Sequence, residues 1–312
     1  MEFKKLNLEE QVKYVAKQLT PGILGNIIDH TYLNPIGTKA NIDKLCEEAA
    51  QIGSSICINE SRIEDAVSKL KEIRNDNVNI VAVIAFPFGS ASSEIKAASA
   101  IDAYKRGAKE VDMVLNIGYL KDKDKRFRED IEYVVKAVSE YKKLSKQDSL
   151  ILKVIQENCY LNEEEKKLAT RSIAELGRKY NVHIFAKTST GFGTPREGIA
   201  KGATIEDVAL MRQEIGDYNP SNNKVGIKAA GGISDAETAI KMMIAAGCVD
   251  SNGILKKQLK DMFRIGASAG VKIVEDFKAG YGLVVSKDLY QAVHNLLQLK
   301  EIRRRLHLRY KK

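Results

Sequence analysis

At 312 residues, 44% hydrophobic and 29% charged, the chain is long enough to bury one large core, and with no Trp and eight Phe that core must be aliphatic and Ala-rich. Seven cations and Glu301 within residues 300–312 supply +6 of the formal +9, leaving +3 for residues 1–299, so the basic balance is poor ground for a nucleic-acid partner. Neither a secretory apolar segment nor a membrane-spanning run is present, which argues against secretion and membrane insertion.

Residues 8–19 (LEEQVKYVAKQL) have the periodicity of an amphipathic leading helix, ended before Thr20-Pro21-Gly22. A short strand at 27–31 follows, then a helix over about 41–51. The spacing next predicts strands at 55–59, 80–86 and 110–116, with helices over 61–73, about 93–106 and about 125–144. Residues 150–157 read as strand five, with a helix over 163–179. Strand six begins at Val182 and carries Lys187, and its long loop reaches Gly202 before a helix over 204–215. Strand seven, 225–230, runs into Gly231-Gly232 and a helix at 234–246. Strand eight, 264–268, enters a last helix at about 269–278.

Eight consecutive strand–helix units predict one α/β fold, a (β/α)8 TIM barrel over residues 1–282 that includes the leading helix as an N-terminal extra. Residues 283–312 are expected as a basic, helical C-terminal extension. A doubly wound open sheet is the alternative, but no GxGxxG turn follows the first strand.

A lysine inside a buried strand is costly unless paired, and a lone one is more often a structural cation. Here the strands also carry Asp29, Asp112, Lys153 and Lys228, each in an apolar stretch. Strand alternation sends one face into the lumen, and five ionisable residues converging there read as a site. Three lysines against two aspartates leave one cation without an anion, which disfavours protonation of the most poorly paired amine. Bringing a lysine from its usual pKa of about 10.4 to near 7 takes roughly 4 kcal/mol of differential destabilisation. A neighbouring ammonium plus desolvation supplies that amount in Schiff-base lysines, so imine formation with a carbonyl substrate is implied.

The loops after strands seven and eight commonly hold a phosphate in such barrels. Here they are Ala230-Gly231-Gly232-Ile233-Ser234 and Gly266-Ala267-Ser268-Ala269-Gly270, both rich in small residues at helix N-termini, where an anion is favoured. Gly191 and Gly193 offer a third wall.

Cys46, Cys57, Cys159 and Cys248 lack CxxC spacing, and His30, His183, His294 and His307 lack metal-ligand spacing. The thiols read as reduced and cytoplasmic, and a zinc-dependent aldolase or hydrolase is disfavoured. His183 is expected to face a helix or solvent. Glu157, at the outlet of strand five, either contacts substrate or ends the strand, and is left out of the catalytic set.

Lys187-Thr188-Ser189-Thr190-Gly191-Phe192, together with Gly226-Ile227-Lys228-Ala229-Ala230-Gly231-Gly232-Ile233, resembles deoxyribose-phosphate aldolase, a class I (Schiff-base) aldolase family. The segments around Asp29, Asp112, Lys153 and Arg264–Gly270 support the resemblance from about residue 23 to about 282. It implies Lys187 as the Schiff-base nucleophile, Lys228 as the lysine that depresses its pKa, Asp112 as the proton-relay acid/base, and Asp29 and Lys153 as the supporting network. Gly191, Gly231, Gly232, Gly266 and Ser268 would hold the phosphate. The implied reaction is reversible cleavage of 2-deoxy-D-ribose 5-phosphate to acetaldehyde and D-glyceraldehyde 3-phosphate, in deoxyribonucleotide catabolism, by a cytoplasmic homo-oligomer (dimer or tetramer) without metal or organic cofactor.

Three features depart from the family. Ser234 stands where many members have Arg or Lys, residues 196–201 and 248–263 look like insertions, and residues 283–312 run past the usual end. Ser234 motivates an alternative, a Schiff-base aldolase acting on a different or unphosphorylated aldehyde. Leu289, Val293, Leu296, Leu297, Ile302 and Leu306 recur at near-helical spacing, so a helix docked on the barrel or on a neighbouring subunit is preferred over nucleic-acid or acidic-partner binding.

Overall fold

The computed structural model describes residues 2–281, and the expected extension at 283–312 lies outside them. Eight parallel strands pair in chain order and close into a barrel: β1 (Ile28–Tyr32), β2 (Ser55–Asn59), β3 (Ile80–Ile84), β4 (Glu110–Val114), β5 (Ile151–Ile155), β6 (His183–Lys187), β7 (Val225–Ala230) and β8 (Phe263–Ala267). The seam is β1 on β8, with Asp29 opposite Gly266.

Before β1 come α1 (Leu8–Ala16) and α2 (Pro21–Asn26). Helices α3 (Lys39–Ile52), α4 (Ile63–Glu72) and α5 (Ser93–Arg106) follow β1, β2 and β3 in turn. After β4 stand α6 (Ile117–Lys121) and α7 (Arg126–Ser145), and after β5 and β6 come α8 (Glu163–Tyr180) and α9 (Ile205–Ile215). Beyond β7 lie α10 (Ala236–Ala245) and α11 (Leu259–Met262), and α12 (Gly270–Gly280) follows β8.

The chain departs from the sequence expectation where polar side chains claim the backbone. The leading helix ends at Ala16, before Thr20-Pro21-Gly22 as expected, but these residues open a further helix, α2, because the Thr20 hydroxyl accepts the Ile23 N–H at 3.1 Å and Pro21 occupies the first turn. The strand expected to reach residue 116 stops at Val114, since Asn116 leaves the sheet to cap α6 by accepting the Tyr119 N–H at 3.2 Å. Both α6 and α11 are too short for a periodic signal.

Outward residues such as Val111, Val154, Ala186 and Ile265 join the helices in the main apolar core, each buried Ile or Val contributing about 1.5–3 kcal/mol. A separate small cluster of Leu33, Cys57, Val81 and Val83 fills the β2–β3 side of the lumen. The segment 248–263 is part of the body rather than an appendage. Cys248 and Phe263 at its two ends are fully buried, and the Gln18 amide donates to the Gly253 carbonyl at 2.8 Å while accepting the Leu255 N–H at 3.1 Å.

Candidate active site

Alternation along the strands brings every expected charge to the lumen and adds two that the sequence reading did not count. Glu110 lies two residues before Asp112 on β4, and Arg264 two before Gly266 on β8, so the period-two signal for both was already in the chain. Asp112 is the hub. Its Oδ2 accepts from Lys187 at 2.7 Å and from Lys228 at 2.8 Å, and its Oδ1 accepts from Lys153 at 3.0 Å. Lys228 also donates to Asp29, and Lys153 reaches Glu110 at 2.7 Å and Asp29 at 3.2 Å. Below them Arg264 donates to Glu110 at 3.1 Å.

Four cations therefore face three carboxylates, a larger set than the three lysines and two aspartates expected, with the same surplus of one. If Lys187 is neutral the lumen is balanced, and the electrostatics run that way. Burial pulls every lysine here down, but Asp112 and Asp29 overcome it for Lys228, and with Glu110 they overcome it for Lys153, so both stay above the ordinary lysine range. For Lys187, burial and then the Lys228 ammonium outweigh Asp112, and its pKa falls. A short ion pair would ordinarily raise it. Asp112 does not manage this because it is divided among three ammoniums. Burial also opposes ionisation of Asp112, but the three lysines hold its carboxyl well below the usual range. Lys187 is 3% exposed against 0% for Lys153 and Lys228, consistent with its place at the last residue of β6.

The carboxyl-terminal mouth has unlike sides. Between the ends of β1, β2 and β3 lies a cavity of about 690 Å³ whose apolar lining includes Leu33, Val83, Phe86, Phe88 and Phe192, and whose polar groups are Asn59, Glu60, Ser61 and Ser90. Cys57 is on this side, and burial pushes its thiol up, so it is not an activated nucleophile. On the other side the turn after β7 packs so closely on the loop after β6 that a Cβ on Gly231 would lie 2.9 Å from Gly202 Cα. Gly191 is half-buried beside them, and Gly232 and Ser268 are exposed.

Two phosphate-loop expectations change. Gly266 is inside β8, paired with both neighbours, and a Cβ there would come 3.0 Å from Lys228 Cε; it makes room for the lysine instead of forming the loop. The α10 N-terminus is already occupied by the Asp235 carboxylate, which accepts the Thr238 N–H at 2.8 Å. The α12 N-terminus has no side-chain cap and keeps its N–H groups open to an anion. Lys272 of α12 donates to the Ser234 carbonyl at 3.1 Å and ties the two loops together.

With this geometry in place, the family model described as DeoC/LacD family aldolase matches residues 24–276. The chain belongs to the DeoC/LacD aldolase family. Among family relatives, a deoxyribose-phosphate aldolase of Thermoanaerobacter sp. (strain X514) is 44% identical over 256 residues, covering 81% of this chain and 96% of that protein. The protein of the same name from Thermococcus kodakarensis is 42% identical over 253 residues, covering 81% and 96%. A solved structure described as a tetrameric deoxyribose phosphate aldolase from Aeropyrum pernix superposes with a TM-score of 0.63 at 25% identity, covering 86% of this chain and 98% of that one.

His183 faces a helix, as expected, through Asp261 of α11. It shares the lumen face with Phe185 and Lys187, stacks on Phe185 at 5.2 Å, and donates from Nε2 to the Asp261 carbonyl at 2.7 Å, at the lower end of the barrel and away from the mouth. Among the described residues no group of three His, Cys, Asp or Glu is placed to hold a metal, and no helix is long and apolar enough to cross a membrane.

Proposed function

We propose that this chain is a class I aldolase that reversibly cleaves 2-deoxy-D-ribose 5-phosphate to acetaldehyde and D-glyceraldehyde 3-phosphate through a Schiff base on Lys187. The observation that carries the reading is a buried lysine whose carboxylate partner is shared with two further ammoniums. Neutral Lys187 adds through Nζ to the C1 aldehyde of the open-chain sugar, and loss of water gives an iminium. That cation takes the lumen position the neutral amine had left uncharged. The C2–C3 bond then breaks, its electron pair moving into the iminium to form an enamine as the C3 hydroxyl proton leaves and glyceraldehyde 3-phosphate departs. Protonation of the enamine at C2 and hydrolysis release acetaldehyde and restore the amine.

Asp112 is too weak a base to hold a proton for long. Its part is to relay protons among the ammonium groups and the reacting atoms, with Lys228 kept protonated as the donor side. Asp29 and Lys153 hold the hub from below, and no step calls on a metal or organic cofactor. The phosphate is assigned to Gly191, the Gly231–Gly232 turn, Ser268 and the open α12 N-terminus. A homo-oligomer, dimer or tetramer, in the cytoplasm belongs to the same reading, in line with the relative described as tetrameric.

Borohydride added with acetaldehyde is expected to leave a reduced adduct on the peptide carrying Lys187, found by mass mapping. Labelling confined to surface lysines would sink the assignment. A second reading, an aldolase of an unphosphorylated aldehyde, is favoured by Ser234 standing where a basic side chain would grip the phosphate, the nearby Lys272 being engaged with the Ser234 carbonyl and Asp276. Equal kcat/KM for 2-deoxyribose and its 5-phosphate would put that reading first.

A further inference from the structure

Glu157 stands apart from the ion network. It lies two residues past β5 at φ +57°, a left-handed conformation that costs a residue with a side chain, and it is 1% exposed. Its partners are hydrogen-bond donors rather than cations. The Thr190 N–H points at its carboxylate, 3.1 Å from Oε1 and 3.3 Å from Oε2, and the Thr190 hydroxyl donates to Oε2. The Cys159 thiol lies 3.8 Å from Oε1. Burial pushes the carboxyl up, which is the cost of keeping it in this place.

One side chain thus takes both donors of Thr190, and Thr190 Oγ1 in turn accepts the Phe192 N–H at 2.9 Å. The course of the loop after β6 follows from this clamp. Gly191 turns at φ +85° to come up against Gly231, on the phosphate side of the mouth. Phe192 goes the other way and meets Phe86 edge-on at 5.3 Å, on the apolar side. A cavity of about 210 Å³ between Glu157, Tyr160, Thr190 and Phe192 leaves the loop space to take another course if the clamp is lost.

We propose that Glu157 is a positioning residue that holds the loop after β6 across the mouth, so that Gly191 meets the substrate's phosphate end while Phe192 closes the apolar end. This rests on the aldolase reading above. Glu157 thereby sets how strongly the phosphorylated sugar is preferred, without touching the reacting carbon.

The test compares wild type with Glu157→Ala, Glu157→Gln, Thr190→Val and the Glu157→Ala/Thr190→Val double variant. The readouts are kcat/KM on 2-deoxyribose 5-phosphate and on 2-deoxyribose, and the rate of acetaldehyde–borohydride trapping at Lys187. Glu157→Ala is expected to cut the phosphate preference about tenfold to a hundredfold, the scale of a buried charge-assisted hydrogen bond. Trapping should fall far less. Glu157→Gln keeps an acceptor for the Thr190 N–H and is expected to recover part of the loss, and the double variant should be no worse than the poorer single one, because the two residues share one link. An unchanged preference in Glu157→Gln and Thr190→Val, additive losses in the double variant, or equal losses on both sugars and on trapping would each overturn the proposal. A wild type that forms no adduct at Lys187 would bring down the aldolase reading itself.

Discussion

Between α5 and α7, Lys96 donates to Asp130 at 2.6 Å, and neither side chain is more than 2% exposed. In the lumen, Lys187 donates to Asp112 at 2.7 Å, with the lysine side chain 4% exposed and the carboxylate 0%. Burial lowers the pKa of both lysines. The difference is in what surrounds the carboxylate. Asp130 serves one ammonium and the Ser93 hydroxyl, whereas Asp112 serves three ammoniums, with Lys228 bonded to the same oxygen as Lys187. Lys96 is also shut between two helices, while Lys187 ends a strand at the barrel mouth. Desolvation by itself makes a structural ion pair. A surplus cation and an opening are what set Lys187 apart and support its proposed role as the nucleophile.

Removing either lysine separates the two regions most sharply. Lys187→Leu is expected to lower kcat by about 10⁴-fold or more, the scale of losing a covalent nucleophile, and to abolish the borohydride adduct. Lys96→Met should retain kcat and the adduct but lose about 3–5 kcal/mol of stability, because Asp130 is left buried without a cation. Turnover and thermal unfolding of the two variants decide it, and an inactive but folded Lys96→Met would erase the distinction.

At the hub, Asp112→Asn is expected to cost about 10²–10⁴-fold in kcat, since an amide cannot relay protons among the ammonium groups. A loss confined to KM would contradict that role.

Lys228→Leu tests the surplus itself. In the proposed mechanism the reactive form of Lys187 is the neutral amine, and Lys228 disfavours its protonation. Taking Lys228 away, and freeing more of Asp112 for Lys187, raises the Lys187 pKa, so the pH–rate profile should move to higher pH. At a fixed pH below the new pKa, activity falls about tenfold for each pH unit the profile has moved. An unmoved profile with near-normal turnover would make Lys228 as structural as Lys96.

The smallest effect is at the rim. Ser234→Arg is expected to raise the preference for the phosphorylated sugar by about fivefold at most, because an exposed charge contributes about 0–1 kcal/mol. Comparing kcat/KM for the two sugars on both proteins measures it, and no change would leave the open α12 N-terminus as the main holder of the phosphate.

The strands were legible in the chain because their signal is local. A run such as Ile80–Ile84, apolar and β-branched, needs no partner to be recognised, and the residues from Lys187 to Phe192 announce the chemistry by their order alone. The same period-two reading placed Asp29, Asp112, Lys153 and Lys228 on one face. It also held Glu110 and Arg264, which passed as ordinary strand residues because nothing within β4 or β8 marks them as partners of each other. Nothing within α5 marks Lys96 as buried, since Asp130, which covers it, is 34 residues away.

Packing settled the questions that depend on distance through space. The lowered pKa of Lys187 depends on a carboxylate 75 residues earlier, shared with a lysine that is in turn held by Asp29, 199 residues before it. Glu157 became a clamp only when its left-handed backbone turned it under Thr190, and Gly266 changed from phosphate loop to lysine channel once its neighbours were in place. Local order along the chain sets which residues face the lumen. Their charges, and so their pKa values, depend on which of them meet there, because Coulomb energy and desolvation are functions of separation in space and not along the chain.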